Sequence, residues 1–373
     1  MSDVRRALAV VDLGAIERNS ARLRRELTGG AELCVVVKAN GYGHGAVECA
    51  RAALAAGASR LAVAAAGEAA ELRAALPEAP LLVLGAMTPG EVDVALATGA
   101  EVSVWRPGVL EHVARRAREL GLRAGVHVKY DTGMGRLGER DAAAVADLVR
   151  AAAANGNVEL AGLWTHFATA DEPDSAYFGE QLERFLALAT PLKQEHPRML
   201  LHAANSAAML REPASHLDMA RCGIALYGLD PFHRDPFARE LEPALELRSY
   251  VADVKRFPAG ASAGYGRRWA APGERWIGVV PIGYGDGVRR DLTNNGQVLV
   301  GGRRRELVGT VSMDNVTIDL GPETDVEPGA PAVLIGAQGS ERILCEEVAA
   351  RLGTINYEIT CGISARVRRE YIR

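Results

Sequence analysis

The lysine that ends the apolar run Leu33 to Val37 is the first residue whose type and setting could do chemistry. Four of those five residues are large apolar or β-branched. The run therefore reads as a buried strand delivering Lys38 at its junction with Ala39-Asn40-Gly41-Tyr42-Gly43-His44-Gly45. Desolvation there lowers an ammonium pKa, and a neutral amine condenses with carbonyls, so the chemical reading is a Schiff-base lysine; the structural one is a paired core cation. Glycines around Tyr42 and His44 let backbone approach an anion closely. Further polar clusters follow later apolar runs: Lys129 and Asp131 with the loop Thr132 to Gly138, which carries Arg136; Thr165-His166; His202 to Ser206; and Arg221 to Gly228. Gly223 and Ile224 precede a short helical stretch, whose unpaired N–H groups suit a phosphate, and Ser206 adds a hydroxyl. A Schiff-base lysine with a phosphate cradle describes a pyridoxal phosphate site. The competing reading is the aldolase-type lysine of a sugar-phosphate barrel.

The elements that must position these residues alternate along the chain. Strand candidates are Leu33 to Val37, Leu61 to Ala65, Leu81 to Leu84, Glu101 to Val104, Ala124 to Val128, Leu160 to Thr165, Met199 to His202 and Leu217 to Arg221. Helical periodicity lies between them. Val109, Val113, Ala117 and Leu120 share one face of Pro107 to Gly121, and Phe178, Leu182, Phe185, Ala189 and Leu192 repeat the pattern. Eight such units predict a (β/α)8 barrel, which places every polar cluster at the carboxyl ends of the strands, where barrel active sites lie. The runner-up is an open doubly wound sheet, although no GxGxxG follows the first strand.

At 373 residues the chain exceeds what one core usually serves. From Leu245 short β-branched segments replace helices: Trp276 to Ile282, Gln297 to Val300, Arg305 to Gly309, Val311 to Leu320 and Ala332 to Ile335, with one late helix near Glu346 to Leu352. Gly301-Gly302 signals a hairpin. The expected division is a barrel over residues 1–241 and a β-rich domain over 242–373. A net charge of −4 gives no reason to expect nucleic acid or an anionic membrane as partner. The runs Arg303 to Arg305 and Arg366 to Arg369 read as solvated surface. Five scattered cysteines (Cys34, Cys49, Cys222, Cys345, Cys361) without a CxxC pair suggest reduced thiols and no metal site. Met1 to Val11 lacks the apolar core of a signal peptide and no apolar run reaches membrane length, so a cytoplasmic protein is expected.

The motifs VVKANGYGHG, KYDTGMGRLG, THFATAD, HAANSAA, ARCGIALYG, GYGRRW, VPIGYGDG, GTVSMDNVTIDL and INYEITCGISARV resemble, in order and spacing, those of the alanine racemase family, over nearly the whole chain. The resemblance implies a pyridoxal-phosphate enzyme of fold type III that interconverts L- and D-alanine, supplies D-alanine for peptidoglycan and works as a homodimer with shared active sites. Lys38 would bind the cofactor and act as one proton-transfer base; Tyr265 of the second subunit would be the other, assisted by His166. Arg221 would face the pyridine nitrogen. An arginine only donates, which suits a racemase and not the related decarboxylases that place a carboxylate there. Tyr42, Ser206, Gly223, Ile224 and Tyr357 would hold the phosphate. Arg136, with Met313 of the other subunit, would hold the substrate carboxylate. Lys129 matches a lysine that some members carbamylate to orient Arg136. Tyr284 and Tyr357 would narrow the access channel. His127 and His202 carry no motif that singles them out, Tyr227 reads as packing, and Ser312 to Asn315 reads as a strand edge with a turn. Alternatives are a broader or serine-preferring racemase, a fold-type-III amino-acid decarboxylase and a non-catalytic pyridoxal-phosphate carrier.

Overall fold

A computed structural model describes residues 6–373, which form two compact units, one of residues 16–41 and 46–226, the other of residues 6–15, 42–45 and 227–373. Residues 1–5 of the segment Met1 to Val11, on which the leader reading rests, lie outside the described residues.

The strand Leu8–Asp12 (β1) belongs to the second unit. The first unit carries β2 (Glu32–Val36), β3 (Arg60–Val63), β4 (Leu81–Val83), β5 (Glu101–Val104), β6 (Ala124–Lys129), β7 (Val158–Trp164), β8 (Leu200–His202) and β9 (Met219–Cys222). All their pairings are parallel, in the order β8-β7-β6-β5-β4-β3-β2-β9. The ring closes between β8 and β9, where the Asp218 N–H donates to the Leu201 carbonyl and the Arg221 N–H to the Ala204 carbonyl, both at 3.0 Å. This is the expected (β/α)8 barrel. Its strands are apolar on both faces because the barrel interior and the helical ring bury both.

The helices start where the sequence supplies caps. Thr88 accepts the Glu91 N–H while Glu91 reaches back to the Thr88 N–H at 2.8 Å, and Asp141 accepts the N–H groups of Ala143 and Ala144. In Pro107–Glu119 the buried stripe is Leu110, Val113, Ala114 and Ala117. The expected Leu120 is the C-cap, past the last helical residue, and lies 46% exposed. The strand expected from Leu217 starts only at Met219, because Leu217 takes φ +52°, incompatible with extension.

The second unit is mostly β. One sheet orders Arg303–Glu306, Gln297–Val300, Pro331–Gln338, Leu245–Tyr250, β1 and Arg368–Ile372 side by side; another pairs Asp253–Phe257, Arg275–Val280 and Val316–Gly321. The hairpin at Gly301-Gly302 forms as expected, with Val300 opposite Arg303 and both glycines at positive φ. The expected strand Val311 to Leu320 begins at Val316, since Ser312 to Asn315 turn on a 3.0 Å bond from the Ser312 N–H to the Asn315 carbonyl. In the run Arg366 to Arg369, read as solvated surface, Arg366 and Arg368 are exposed, and the reading needs correcting only at Arg369. Arg366 pairs with the fully buried Asp286, and the half-buried Arg369 donates to the carbonyls of Gly43, Ile363, Ser364 and Val367.

A tight backbone crossing in this unit is testable. Gly228 has φ +74°, and a Cβ there would lie 1.7 Å from the Glu242 carbonyl oxygen. Gly228→Ala should cost at least about 3 kcal/mol of unfolding free energy in urea titration, whereas Gly121→Ala, at φ +67° in open space, should cost about 1.

Candidate active site

In the barrel unit Lys38 is separated from the end of β2 by Val37 alone and opens a left-handed turn: Ala39, Asn40 and Gly41 have φ of 52°, 53° and 61°, and the chain continues into Tyr42 at 51°. Non-glycine residues in that region cost of order 1–2 kcal/mol each. Glu68 offsets the strain, its carboxylate accepting the N–H groups of Ala39, Ala64 and Ala65 at 2.7, 2.8 and 3.1 Å. Asn40 takes the Ala46 N–H at 3.0 Å and the Gly41 N–H reaches the Val37 carbonyl at 2.9 Å. The turn after Lys38 is therefore fixed in a conformation the chain would not choose alone.

Lys129 ends β6, buried, with Nζ 4.0 Å above the Trp164 ring. Burial and the nearby Arg221 and Arg136 push it down to about 7, against the pull of Asp131, with Lys38 adding to the fall. Asp131 organises the following loop by accepting the N–H groups of Gly133 and Gly135. On β9, Arg221 is wholly enclosed. Nη2 donates to the Thr165 carbonyl at 2.8 Å, the Ala203 carbonyl at 3.1 Å and His166 Nδ1 at 3.4 Å; Nη1 donates to His202 Nδ1 at 3.0 Å. Burial lowers its pKa to about 10, which still leaves a cation at neutral pH. Burial, then Arg221, Arg136 and Lys129, hold His166 well below the ordinary imidazole value. Cys222, next to Arg221, meets Met209 Sδ, and burial pushes its thiol up, so it adds no charge.

Because arginine only donates, His202 Nδ1 accepts and the proton sits on Nε2. That N–H donates to His127 Nδ1 at 2.9 Å, and His127 Nε2–H donates to Glu101 Oε2 at 2.8 Å. Burial would raise Glu101, but His127 and Arg60 outweigh it and hold the carboxylate down to about 2. The relay Arg221–His202–His127–Glu101–Arg60 thus runs through the barrel interior. His127 and His202, which no motif singles out, are joined to Arg221 in one buried hydrogen-bonded series. The available signal was a polar residue between Val126 and Val128 on one apolar strand and a histidine closing another.

Ser206 opens the helix after β8, with Asn205 as its cap, and its Oγ accepts the N–H groups of Gly223 and Ala225 at 3.1 and 3.4 Å. Ser206 and Gly223 therefore do meet, with Ile224 between the two residues whose N–H groups Ser206 accepts. The barrel also gathers Lys38, Lys129, Arg136 and Arg221 closely enough to act on one another, with Asp131 as the carboxylate that opposes them at Lys129. Such an excess of positive charge fits a cofactor that brings a phosphate and a phenolate.

In the second unit Tyr42 packs on Tyr227 and Tyr357, ring centroids 5.1 and 5.9 Å apart, and Tyr227 is fully buried, as its packing reading expects. Tyr265 is 73% exposed and its carbonyl accepts the Thr310 hydroxyl at 2.6 Å. Tyr284 and Met313 lie on adjoining loops, joined by a 3.0 Å bond from the Tyr284 N–H to the Ser312 carbonyl, and are 43% and 51% exposed.

A closed parallel barrel with amine, imidazole and guanidinium groups at the carboxyl ends of its strands defines an α/β-barrel enzyme. The chain belongs to the alanine racemase family: the models described as "Alanine racemase, N-terminal domain" and "Alanine racemase, C-terminal domain" match residues 11–231 and 244–371. It is 42% identical to an alanine racemase of Desulforamulus reducens over 98% of each chain, and 43% identical to that of Geobacillus stearothermophilus over 98% of this chain and 93% of the other. The solved alanine racemase of Streptomyces coelicolor superposes with a TM-score of 0.93 at 40% identity, covering 98% of each chain.

The relay makes a measurable claim. His127→Leu and His202→Leu should each lower unfolding free energy by about 3 kcal/mol, and the double variant should fall short of their sum by at least about 1 kcal/mol. Urea denaturation of the four proteins gives the cycle; strict additivity would dissolve the relay into independent contacts.

Proposed function

We propose that the protein is an alanine racemase that uses pyridoxal phosphate, works as a homodimer in the cytoplasm and supplies D-alanine for peptidoglycan. The observation that carries the reading is the enclosed Arg221, a cation locked by two carbonyls and two histidine acceptors. It can give the cofactor's ring nitrogen a hydrogen bond but not a proton, which disfavours the stronger electron sink that decarboxylation uses.

When bound, pyridoxal phosphate acidifies the substrate Cα–H bond. Lys38 holds the cofactor and moves a proton on one face of the substrate α-carbon; Tyr265 of a second copy serves the opposite face, because racemisation requires delivery to the side from which the proton did not leave. His166, kept neutral by burial and the nearby Arg221, assists that tyrosine in the proton transfer. Tyr42, Ser206, Gly223, Ile224 and Tyr357 bind the phosphate, Arg136 and the second copy's Met313 hold the substrate carboxylate, and Tyr284 and Tyr357 restrict the channel to small side chains. The exposed Tyr265, Tyr284 and Met313 support the dimer, since three large side chains left in water suit a surface that a partner covers.

Lys129 supports a further part of the reading. With its pKa pushed down to about 7 by burial, part of its amine is neutral at neutral pH, the form that adds to dissolved carbon dioxide and loses a proton to give a carbamate. The resulting anion would relieve the crowding of cations and orient Arg136. Protein equilibrated with 13C-bicarbonate should give a carbamate carbon resonance that Lys129→Ala lacks; equal spectra would remove this assignment.

Lys38→Ala and Tyr265→Phe should each abolish racemisation of alanine followed by circular dichroism, and Lys38→Ala should lose the cofactor's visible absorbance. Co-expressed, the two inactive chains should recover roughly a quarter of wild-type activity, because half the dimers carry one site with both residues intact. No recovery would sink the shared site. Release of carbon dioxide from diamino acids by the wild type would replace the racemase reading with a decarboxylase.

A further inference from the structure

We propose that Asp286 is a positioning residue for the substrate-carboxylate pocket, acting through two arginines that lock the loop carrying Met313. The inference rests on the reading of Met313 as a wall of that pocket in a second copy of the chain.

The geometry lies wholly within the second unit. Asp286 sits in the glycine-rich turn Gly283-Tyr284-Gly285-Asp286-Gly287 and is fully buried. Its Oδ2 accepts the Gly283 N–H at 2.8 Å, which folds the turn back on itself. Its Oδ1 accepts both Arg366 Nε, at 2.7 Å, and an Arg6 Nη. Each guanidinium then uses its remaining N–H groups on the neighbouring loop. Arg366 Nη2 reaches the Met313 carbonyl at 3.2 Å and Asp314 Oδ1 at 2.8 Å, and Arg6 Nη1 reaches the Asp314 carbonyl at 3.3 Å. One buried carboxylate therefore aims two rigid forks at consecutive carbonyls.

The two loops also bond directly. The Tyr284 and Gly285 N–H groups donate to the Ser312 and Met313 carbonyls at 3.0 and 2.9 Å. The approach leaves no room for side chains, since a Cβ on Gly283 would lie 2.2 Å from the Ser312 carbonyl oxygen. The Met313 carbonyl thus receives two donors, one from backbone and one from Arg366. Such double tethering fixes the peptide plane on either side of Met313 while leaving its side chain half in water. An exposed, short loop would otherwise sample several conformations, and each would misplace the Met313 wall.

The arrangement separates a merely structural role from a positioning one. A lysine at 366 can neutralise Asp286 or reach the Met313 carbonyl but cannot do both, because it lacks the fork. Arg366→Lys should therefore keep the melting temperature of the holoenzyme and its visible cofactor absorbance while raising KM for alanine about tenfold, with kcat changed less than about threefold. Asp286→Asn should give at least the same rise in KM, with loss of melting temperature as well. Wild-type KM in Arg366→Lys, or a loss confined to kcat, would overturn the proposal. If Asp286→Asn fails to fold, Arg366→Lys alone decides. Failure of the wild type to racemise alanine would instead refute the functional reading, which separates the two outcomes.

Discussion

The interior of the barrel is arranged around one cation that water cannot reach. A guanidinium in that position would be prohibitively costly without acceptors on its open sides, and the strands provide them. The carbonyls of Thr165 and Ala203 come from the ends of β7 and β8, the imidazoles of His166 and His202 from the same ends, and the ring of Trp164 lies 4.8 Å below. Those acceptors dictate the rest. His202 must keep its proton on Nε2, His127 must accept it and pass its own donor on, and Glu101 must be ionised to close the series. A single fixed donor at the top of the barrel thus sets the tautomers of two histidines and the charge of a carboxylate far along its axis.

The same logic appears at Lys38, where the demand is conformational. Four successive residues, Ala39 to Tyr42, take left-handed φ because Glu68, from the helix after β3, accepts the first N–H and the Asn40 side chain ties the turn to the helix that opens at Ala46. Strain of this kind holds a reactive group in one orientation, so the residues that offset it belong to the site as much as the lysine does.

The barrel and the clusters at its strand ends were readable because they depend on local properties: an apolar run of strand length, a helical repeat, a polar residue just beyond. Lys38, His166 and Ser206 lie in such positions, and Lys129 and Arg221 lie at the ends of the strands themselves. Glu68, Glu101 and Arg60 were not readable, because each acts on a group brought near by pairing of separate strands and helices, and a charged residue on a helix or at a strand start looks like ordinary surface. The partners of Arg366 and Arg369 were hidden for the same reason, although Arg366 is exposed as its composition suggests. Their composition suggested solvent, whereas their partners, Asp286 and four backbone carbonyls, are distant or invisible in sequence. Strand limits slipped at Leu217 and Val311, where a left-handed residue and a tight turn override apolar content.

In the second unit β1 lies between Leu245–Tyr250 and Arg368–Ile372, running parallel to the latter. A strand from the start of the described chain therefore completes its pairing with one from the end, and closing so long a loop is slow and entropically costly. During synthesis the barrel residues have all emerged long before that last strand exists. The barrel can close while β1 still lacks a neighbour, and the exposed edge is a point at which a nascent chain is open to mispairing or to chaperone capture.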